Sequence, residues 1–210
     1  MIVEQLIRDN QELYHNSITH NLPYEILQGT LPDSKLYIYL SQDLQFFNLS
    51  LNLLGKTLAY CTDSKSTIVL AKQIGFLSNN ENDYFSKVLS ELKQYEKEVS
   101  ISKVDEYLKY LKYLIFECDS YIELITFVYT MEKVYLDWPA QLKQDKILPY
   151  KYQEWIALHS GEEFEKWVQF LSFELERVVK SDDDMQLCNS VFKKTVQLET
   201  DFFESCYNYE

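Results

Sequence analysis

Residues that favour turns are scarce in this sequence, which contains only four glycines and four prolines among its 210 residues. These shares are well below the usual values of about 7% glycine and about 5% proline. Many short strands joined by tight turns would need more of both residues. The sequence therefore predicts an all-α fold of long helices. Because 46% of the residues are hydrophobic, we expect one domain over residues 1–210 with a large core.

Apolar residues recur every three or four positions along most of the chain, which is the spacing of the buried face of a helix. Ser160 with Glu163 and Ser181 with Asp184 have the spacing of capping boxes, which close the first turn of a helix. Pro139 is expected to kink the helix that contains it, because proline lacks a backbone N–H. The predicted helices span residues 2–18, 22–29, 33–60, 65–77, 81–98, 103–117, 119–144, 149–159, 162–180 and 184–208.

The charge of the chain limits its partners. With 33 acidic and 20 basic residues the net charge is −13, so the protein repels phosphate backbones and anionic lipid surfaces. No apolar stretch approaches the roughly 20 residues of a membrane-spanning helix. The four cysteines form no CxxC pair, and the three histidines have no zinc-binding spacing. We therefore expect no nucleic acid, membrane or metal partner, and reduced thiols in a cytoplasmic protein.

Four unusual residues interrupt the apolar faces of separate predicted helices. Asp43 and Glu199 are carboxylates at positions that the helical spacing assigns to the core, where a charge must be paired or its pKa must shift. Met131 lies at the centre of one apolar face, and His159 ends a short helix. Ordinary structural explanations exist: contact with solvent or a tyrosine for the acids, core filling for Met131, and the helix dipole for His159. Two such acids among many aromatic residues also fit a polar pocket for a flat ligand.

Several motifs occur in an order that resembles the TenA (thiaminase II) family. They are HNLPYEILQGTLPDSKLYIYLSQDLQFF, TMEKVYLDW, YQEWIALHSGEEFEKW and QLETDFFESCY, and they are distributed over most of the chain. The most specific features are a histidine followed by Gly-Thr-Leu-Pro and then Gln-Asp with aromatic residues, and Tyr-x-x-Trp followed by Glu-Phe. The resemblance implies a compact haem-oxygenase-like helical bundle, usually a homotetramer. It also implies hydrolysis of aminopyrimidine or formylaminopyrimidine products of thiamin breakdown, without a metal or organic cofactor.

The resemblance further assigns roles to individual residues. Asp43 corresponds to the aspartate that binds the pyrimidine, and Glu199 corresponds to the catalytic acid/base glutamate. Met131 replaces the nucleophilic cysteine of the main branch, and His159 replaces a tyrosine. Because a thioether has no proton to lose, it cannot become an attacking thiolate. The sequence therefore resembles a second branch, which uses a carboxylate instead of the cysteine. The predicted pocket walls are Phe46, Tyr107, Met131, Tyr135 and Phe202.

The leading hypothesis is a TenA-like hydrolase of thiamin salvage. Asp43 would bind the ring, and Glu199 would transfer a proton to the leaving amine. His159 would position or deprotonate water, because an unperturbed imidazole has a pKa of about 6.5. The second carboxylate stays unidentified, since Glu132 is adjacent to Met131 but about 100° round the helix. The alternative is a catalytically silent homologue that binds a pyrimidine-like ligand or acts in assembly. A metal-dependent oxidase on the same bundle is disfavoured by the small number of histidines.

Overall fold

Helices make up the regular structure of this protein. The computed structural model describes residues 1–141 and 147–209, and within these ranges it contains helices and no strand. The prediction of an all-α fold is therefore confirmed. The α-helices are α1 (Ile2–Asp9), α2 (Gln11–Ile18), α3 (Asn21–Gln28), α4 (Asp33–Tyr60), α5 (Ser64–Phe76), α6 (Asn82–Glu91), α7 (Ser102–Phe116), α8 (Tyr121–Asp137), α9 (Tyr150–Leu158), α10 (Gly161–Val178) and α11 (Asp182–Tyr207).

Helix α8 lies at the centre of the bundle. Every residue from Leu124 to Thr130 is buried, and a helix that is buried on all sides must be surrounded by other helices. It packs most extensively against α11 and α10, and it also contacts α2 and α4. The hydroxyls of Thr126 and Thr130 donate to the carbonyls of Ile122 and Thr126, so these buried donors are satisfied. Helices α4, α8 and α11 thus face one common interior.

The predicted helix 2–18 is interrupted at Asn10. The backbone of Asn10 has φ −124° and ψ 27°, which separates α1 from α2. Its side-chain amide donates to the carbonyl of Leu6 at 2.9 Å and to the side chain of Asn189 at 2.8 Å. An asparagine that bonds locally to the backbone competes with helical hydrogen bonds. The uninterrupted helix was therefore the wrong prediction at this position.

Two other predicted helices are shorter in the structure. The predicted helix 81–98 ends at Glu91 as α6, and a 3-10 turn follows at Lys93–Tyr95. The predicted helix 119–144 corresponds to α8 and ends at Asp137, before the 3-10 turn Pro139–Gln141. Proline therefore ends this helix rather than kinking it, since its ring excludes a continuing helical turn. Residues 142–144 of that prediction lie outside the described residues.

The two predicted capping boxes have different outcomes. Ser181 and Asp184 form the expected reciprocal pair at the start of α11. Ser160 occupies the N-cap position of α10, but its hydroxyl donates to the carbonyl of Ile156 at 2.6 Å. The preceding helix α9 ends at Leu158, so the Ile156 carbonyl lies in its last turn, where it also accepts the backbone N–H of His159 and is within reach of Ser160. The capping box at Ser160 was therefore a wrong prediction, although the helix begins where expected.

The connection between α3 and α4 is held tightly against α9. Gly29 ends α3 with φ 67°, a left-handed conformation that favours glycine. A Cβ atom at this position would lie 2.8 Å from Cδ2 of Leu148. The hydroxyl of Tyr152 donates to the carbonyl of Leu31 at 2.5 Å. These contacts fix the beginning of α4 relative to α9, and both helices supply residues to the site described below.

Two further features complete the fold. Leu77–Glu81, between α5 and α6, has π-helical geometry. Such turns are rare in proteins, and those that occur are often found at functional sites.

All four cysteines are buried and free. No helix in the described ranges combines the length and apolar character that crossing a membrane requires.

Candidate active site

All eight predicted site residues line a single cavity in the bundle. They come from α4, α7, α8, the end of α9 and α11, so the fold brings together positions that are far apart in the sequence. The cavity has a volume of about 50 Å³. The eight residues are Asp43, Phe46, Tyr107, Met131, Tyr135, His159, Glu199 and Phe202.

Glu199 is the most deeply buried acid of the cavity, with 1% of its surface exposed. The hydroxyl of Tyr107 donates to its Oε1 at 2.5 Å. The pKa of Glu199 is raised to about 8, chiefly by burial and less by the nearby Asp43 and Glu132, while the hydrogen bond from Tyr107 opposes the shift. The group therefore carries a proton at neutral pH, as a general acid must.

Asp43 lies on the same cavity surface and is 7% exposed. Burial raises its pKa to about 8, so this carboxyl is also protonated at neutral pH. A protonated carboxyl has one O–H donor and one carbonyl acceptor side by side. This pair of groups matches a ring nitrogen and an adjacent amino group, which present an acceptor and a donor.

Two additional acids line the cavity, and neither was among the predicted site residues. Glu132 on α8 is buried, and burial raises its pKa to about 7 while the side chain of Trp167 opposes the shift. Glu81 belongs to the π-helical turn. Its removal from water raises its pKa well above the ordinary range, and Glu132 and Asp43 add to that effect. Four carboxyl groups of the described residues thus line the cavity.

The position of Glu132 has a simple structural reason. We expected an offset of about 100° from Met131 to carry this side chain away from the pocket. Because α8 is surrounded by other helices, a residue on its flank still faces the interior. Glu132 is in fact buried, whereas Met131 is only partly buried. The almost continuous apolar sequence of α8 was the signal that could have identified Glu132, since it indicates a helix without a solvent face.

His159 ends α9 and is buried. Its Nδ1 lies 2.8 Å from the carbonyl oxygen of Trp155, and only an N–H can donate to a carbonyl, so Nε2 has the free lone pair. Burial lowers the pKa of His159 to about 4, an effect that the Trp155 hydrogen bond opposes. The expected pKa near 6.5 is therefore wrong for this environment, and the neutral ring is a weak base. The helix-dipole explanation of a charged histidine fails for the same reason.

Aromatic rings form most of the remaining wall. The ring centroids of Phe46 and Tyr107 are 4.6 Å apart, and those of Tyr135 and His159 are 4.8 Å apart. The hydroxyl of Tyr135 lies 3.1 Å from that of Tyr39, which keeps both buried hydroxyls paired. Trp155, which was not among the predicted site residues, also lines the cavity. Flat faces on several sides suit a flat heteroaromatic ligand.

Met131 contributes a thioether to the wall, and none of the four cysteines lines the cavity. Cys118 instead contacts the carbonyl of Ser120 and the carboxylate of Glu123 near the start of α8. Burial raises the pKa of Cys118 to about 11. No thiolate is therefore available to the cavity from the cysteines of this chain.

Among the residues that the structure describes, none that lines the cavity has a cationic side chain. Within the described ranges, no three histidine, cysteine or acidic side chains have an arrangement that could hold a metal ion. The chemistry that this arrangement can perform is proton transfer and hydrogen bonding to a neutral or positively charged ring compound. An anionic ligand such as a phosphate ester would meet four acids and no positive charge among these described side chains.

Comparison with known proteins gives a consistent result. The sequence matches the TENA/THI-4/PQQC family over residues 7–209, while no curated protein matches it. A TenA homologue from Pyrococcus furiosus has a TM-score of 0.85 at 22% identity, covering 98% of this chain and 100% of its own. A candidate TenA-like thiaminase from Sulfolobus solfataricus P2 has a TM-score of 0.74 at 18% identity, with coverage of 97% and 95%.

A domain of unknown function from Shewanella denitrificans OS217 has a haem-oxygenase-like fold and a TM-score of 0.71. It is 14% identical and covers 98% of this chain and 91% of its own. These structural similarities are below 25% identity and concern the fold, whereas the family match extends over nearly the whole sequence. The chain therefore belongs to the TENA/THI-4/PQQC family and has a compact haem-oxygenase-like helical fold.

Proposed function

We propose that this protein hydrolyses an aminopyrimidine or its N-formyl derivative in thiamin salvage, without a cysteine nucleophile. The observation that carries the proposal is the convergence of four carboxyl groups and several aromatic rings in one cavity, whose described lining residues include no cation and no thiol. Membership of the TENA/THI-4/PQQC family supports a role in thiamin metabolism. No cofactor takes part in the proposed reaction.

The raised pKa values assign different roles to the acids in the proposed reaction. Protonated Asp43 binds the ring nitrogen and the amino group of the pyrimidine. Glu199, with a pKa of about 8, gives its proton to the leaving nitrogen. Glu132, with a pKa of about 7, is partly ionised at neutral pH and accepts a proton from the attacking water. Two acids with different pKa values can therefore serve as acid and base in one reaction.

His159 has a positioning role in this scheme. Its neutral Nε2 accepts a hydrogen bond from the water molecule, while its Nδ1–H remains bonded to the Trp155 carbonyl. The His159→Phe variant keeps a flat ring and removes the acceptor. It is expected to lower kcat by at least about tenfold. Unchanged kcat would exclude this role and leave Glu132 as the group that holds the water.

The decisive experiment measures amine and formate release from thiamin, the aminomethylpyrimidine and its N-formyl derivative. Glu199→Gln should reduce kcat by about 100-fold or more, because an amide cannot supply the proton. Glu204→Gln is the matched control, since Glu204 is an exposed carboxylate on the same helix and lies outside the cavity. If Glu204→Gln and Glu199→Gln reduced the release equally, the proposal would be contradicted.

The same experiment tests the second candidate function, a silent homologue that binds a pyrimidine-like ligand or acts in assembly. The thioether of Met131 in the cavity favours this candidate, because it takes the place of a nucleophile. Calorimetric binding of the aminomethylpyrimidine without any release would support it. The absence of both binding and release would contradict both functions. We further expect a cytoplasmic homotetramer, which light scattering would report as about four times the chain mass of 25.1 kDa.

A further inference from the structure

A second concave region lies directly outside the cavity. It runs between α5 and the first turns of α10, beside the end of α9, and we call it the outer groove. Its walls include Val69, Lys72, Ala157, Lys166 and Trp167. The outer groove has a volume of about 340 Å³, compared with about 50 Å³ for the cavity. Because Lys72, Ala157 and Lys166 on its walls are exposed, the outer groove faces solvent.

Four side chains line both the cavity and the outer groove, and we call them the neck. They are Gln73, Phe76, Leu158 and Phe164. Phe164 packs edge-on against the ring of His159, with centroids 5.5 Å apart. A ligand that fills the cavity and carries a substituent can therefore extend past His159 into the outer groove.

Gln73 gives the neck its specificity. The other three members of the neck are apolar, so a polar substituent that crosses this ring finds one side-chain partner. A glutamine amide has two N–H donors and a carbonyl acceptor, which is the complement of another amide group. A substrate with an amide at the neck would exchange hydrogen bonds with Gln73, whereas a plain hydrocarbon would leave it unpaired.

The outer groove itself suits an acyl chain. Val69, Phe76 and Trp167 give it apolar surface. Lys166 is already paired with Glu162 and Glu163, each at 2.9 Å, whereas no described residue forms an ion pair with Lys72. A carboxylic acid that is released in the outer groove can therefore pair with Lys72, whereas the described carboxyl groups of the cavity behind it would repel it.

We propose that the protein hydrolyses N-acyl aminomethylpyrimidines whose acyl group is longer than formyl. The pyrimidine occupies the cavity, the amide lies at the neck beside Gln73, and the acyl chain occupies the outer groove. This inference rests on the proposed function and extends it to a wider substrate class. It assigns substrate specificity to Gln73 and to the walls of the outer groove.

The reaction needs only water as a second reactant. The oxygen of water forms a bond to the acyl carbon, and the bond between that carbon and the amide nitrogen breaks. One proton of the water reaches the departing nitrogen through the acids of the cavity. The products are a carboxylic acid, which leaves through the outer groove, and the free aminomethylpyrimidine.

The test compares kcat/KM for the N-formyl, N-acetyl and N-butyryl derivatives of the aminomethylpyrimidine. The wild-type protein should hydrolyse the butyryl compound within about tenfold of the formyl compound. Ala157→Trp places a large ring in the outer groove from an exposed helical position. It should lower the butyryl-to-formyl ratio of kcat/KM by roughly tenfold or more, since steric loss of an apolar subsite has effects of this size.

Gln153→Trp is the matched control, because Gln153 is exposed on the same helix and lines neither the cavity nor the outer groove. It should leave the ratio unchanged. Gln73→Leu supplies a second readout that does not depend on filling the groove. It should reduce kcat/KM for all three amides by roughly tenfold or more, because the amide at the neck loses its partner.

The outcomes separate this inference from the function on which it rests. Hydrolysis of the formyl compound with a fall of about 100-fold or more from formyl to butyryl would overturn the inference and leave the proposed function standing. An unchanged ratio in Ala157→Trp would overturn it in the same way. Absence of release from every compound would overturn both. The outer groove would be established as the acyl subsite if the protein hydrolysed the longer acyl compounds, if Ala157→Trp removed this activity, and if Gln153→Trp preserved it.

Discussion

Replacing Asp43 by asparagine should stabilise the folded protein, and the stabilisation should increase with pH. Burial raises the pKa of Asp43 from 3.8 to about 8. The carboxyl of Asp43 therefore loses its proton near pH 3.8 in the unfolded chain, whereas in the folded protein it keeps the proton up to about pH 8. The contribution of Asp43 to stability is fully present below the unfolded pKa and is lost as pH rises toward the folded pKa. Asparagine has nearly the same size and no proton to release, so the variant escapes this loss.

The magnitude follows from the two pKa values. Each unit of pH between them corresponds to about 1.36 kcal/mol. The gain in the free energy of unfolding should therefore grow from about 2 kcal/mol at pH 5.5 to about 5 kcal/mol at pH 7.5. A constant effect of the new amide on stability is equal at both pH values and cancels from the increase of about 3 kcal/mol.

Urea denaturation at these two pH values measures the increase. Asp105→Asn is the matched control, because Asp105 is an exposed aspartate on α7. Surface substitutions of this kind usually change stability by less than about 0.5 kcal/mol. A gain for Asp43→Asn that is equal at pH 5.5 and pH 7.5, or that decreases with pH, would refute the reasoning. The variant should also lose pyrimidine hydrolysis, which would show that the cavity retains a destabilising acid for its function.

Three further predictions concern the site and its support. Gly29→Ala should lower the free energy of unfolding by about 1–3 kcal/mol, because φ is 67° and a Cβ would meet Leu148; equal stability in urea would contradict this. Tyr107→Phe removes the hydrogen bond that lowers the pKa of Glu199, so the alkaline limb of kcat/KM should move to higher pH. Glu132→Gln should abolish the acidic limb, which wild-type kcat/KM should show at about pH 7; a limb that persists in this variant would exclude Glu132 as the base.

The sequence was sufficient to predict most of the helices and two of the buried acids. Helix α4 occupies the predicted range 33–60, because helical periodicity is strong and no turn residue with φ above zero interrupts it. Asp43 and Glu199 could be recognised because each carboxylate interrupts an otherwise apolar face. Their convergence required the tertiary fold, and helical spacing alone does not tell which faces meet.

The features that could not be predicted depend on the environment rather than on spacing. Asn10 breaks a helical pattern through a contact with Asn189, which is remote in sequence. Glu81 reaches the cavity through a π-helical turn, for which the sequence has no reliable signal. The neutral state of His159 depends on its burial, and burial is a property of the packed bundle.

Placing a cysteine at position 131 should not create a thiolate mechanism. A low thiol pKa needs a nearby cation or a helix N-terminus, and position 131 lies in the second half of α8 in a cavity lined by acids. The one imidazole of the cavity is neutral, since burial lowers the pKa of His159 to about 4. The thiol of Met131→Cys should therefore keep its proton at pH 7.5.

Iodoacetamide labelling followed by mass spectrometry tests this expectation, with Met131→Ala as the control for the loss of volume. Met131→Cys should be labelled no faster than the denatured chain, and its kcat should not exceed that of Met131→Ala. Rapid labelling at pH 7.5 with a covalent pyrimidine adduct would show that the cavity can still activate a thiol. Slow labelling would mean that the acids around position 131, and not Met131 alone, exclude covalent catalysis.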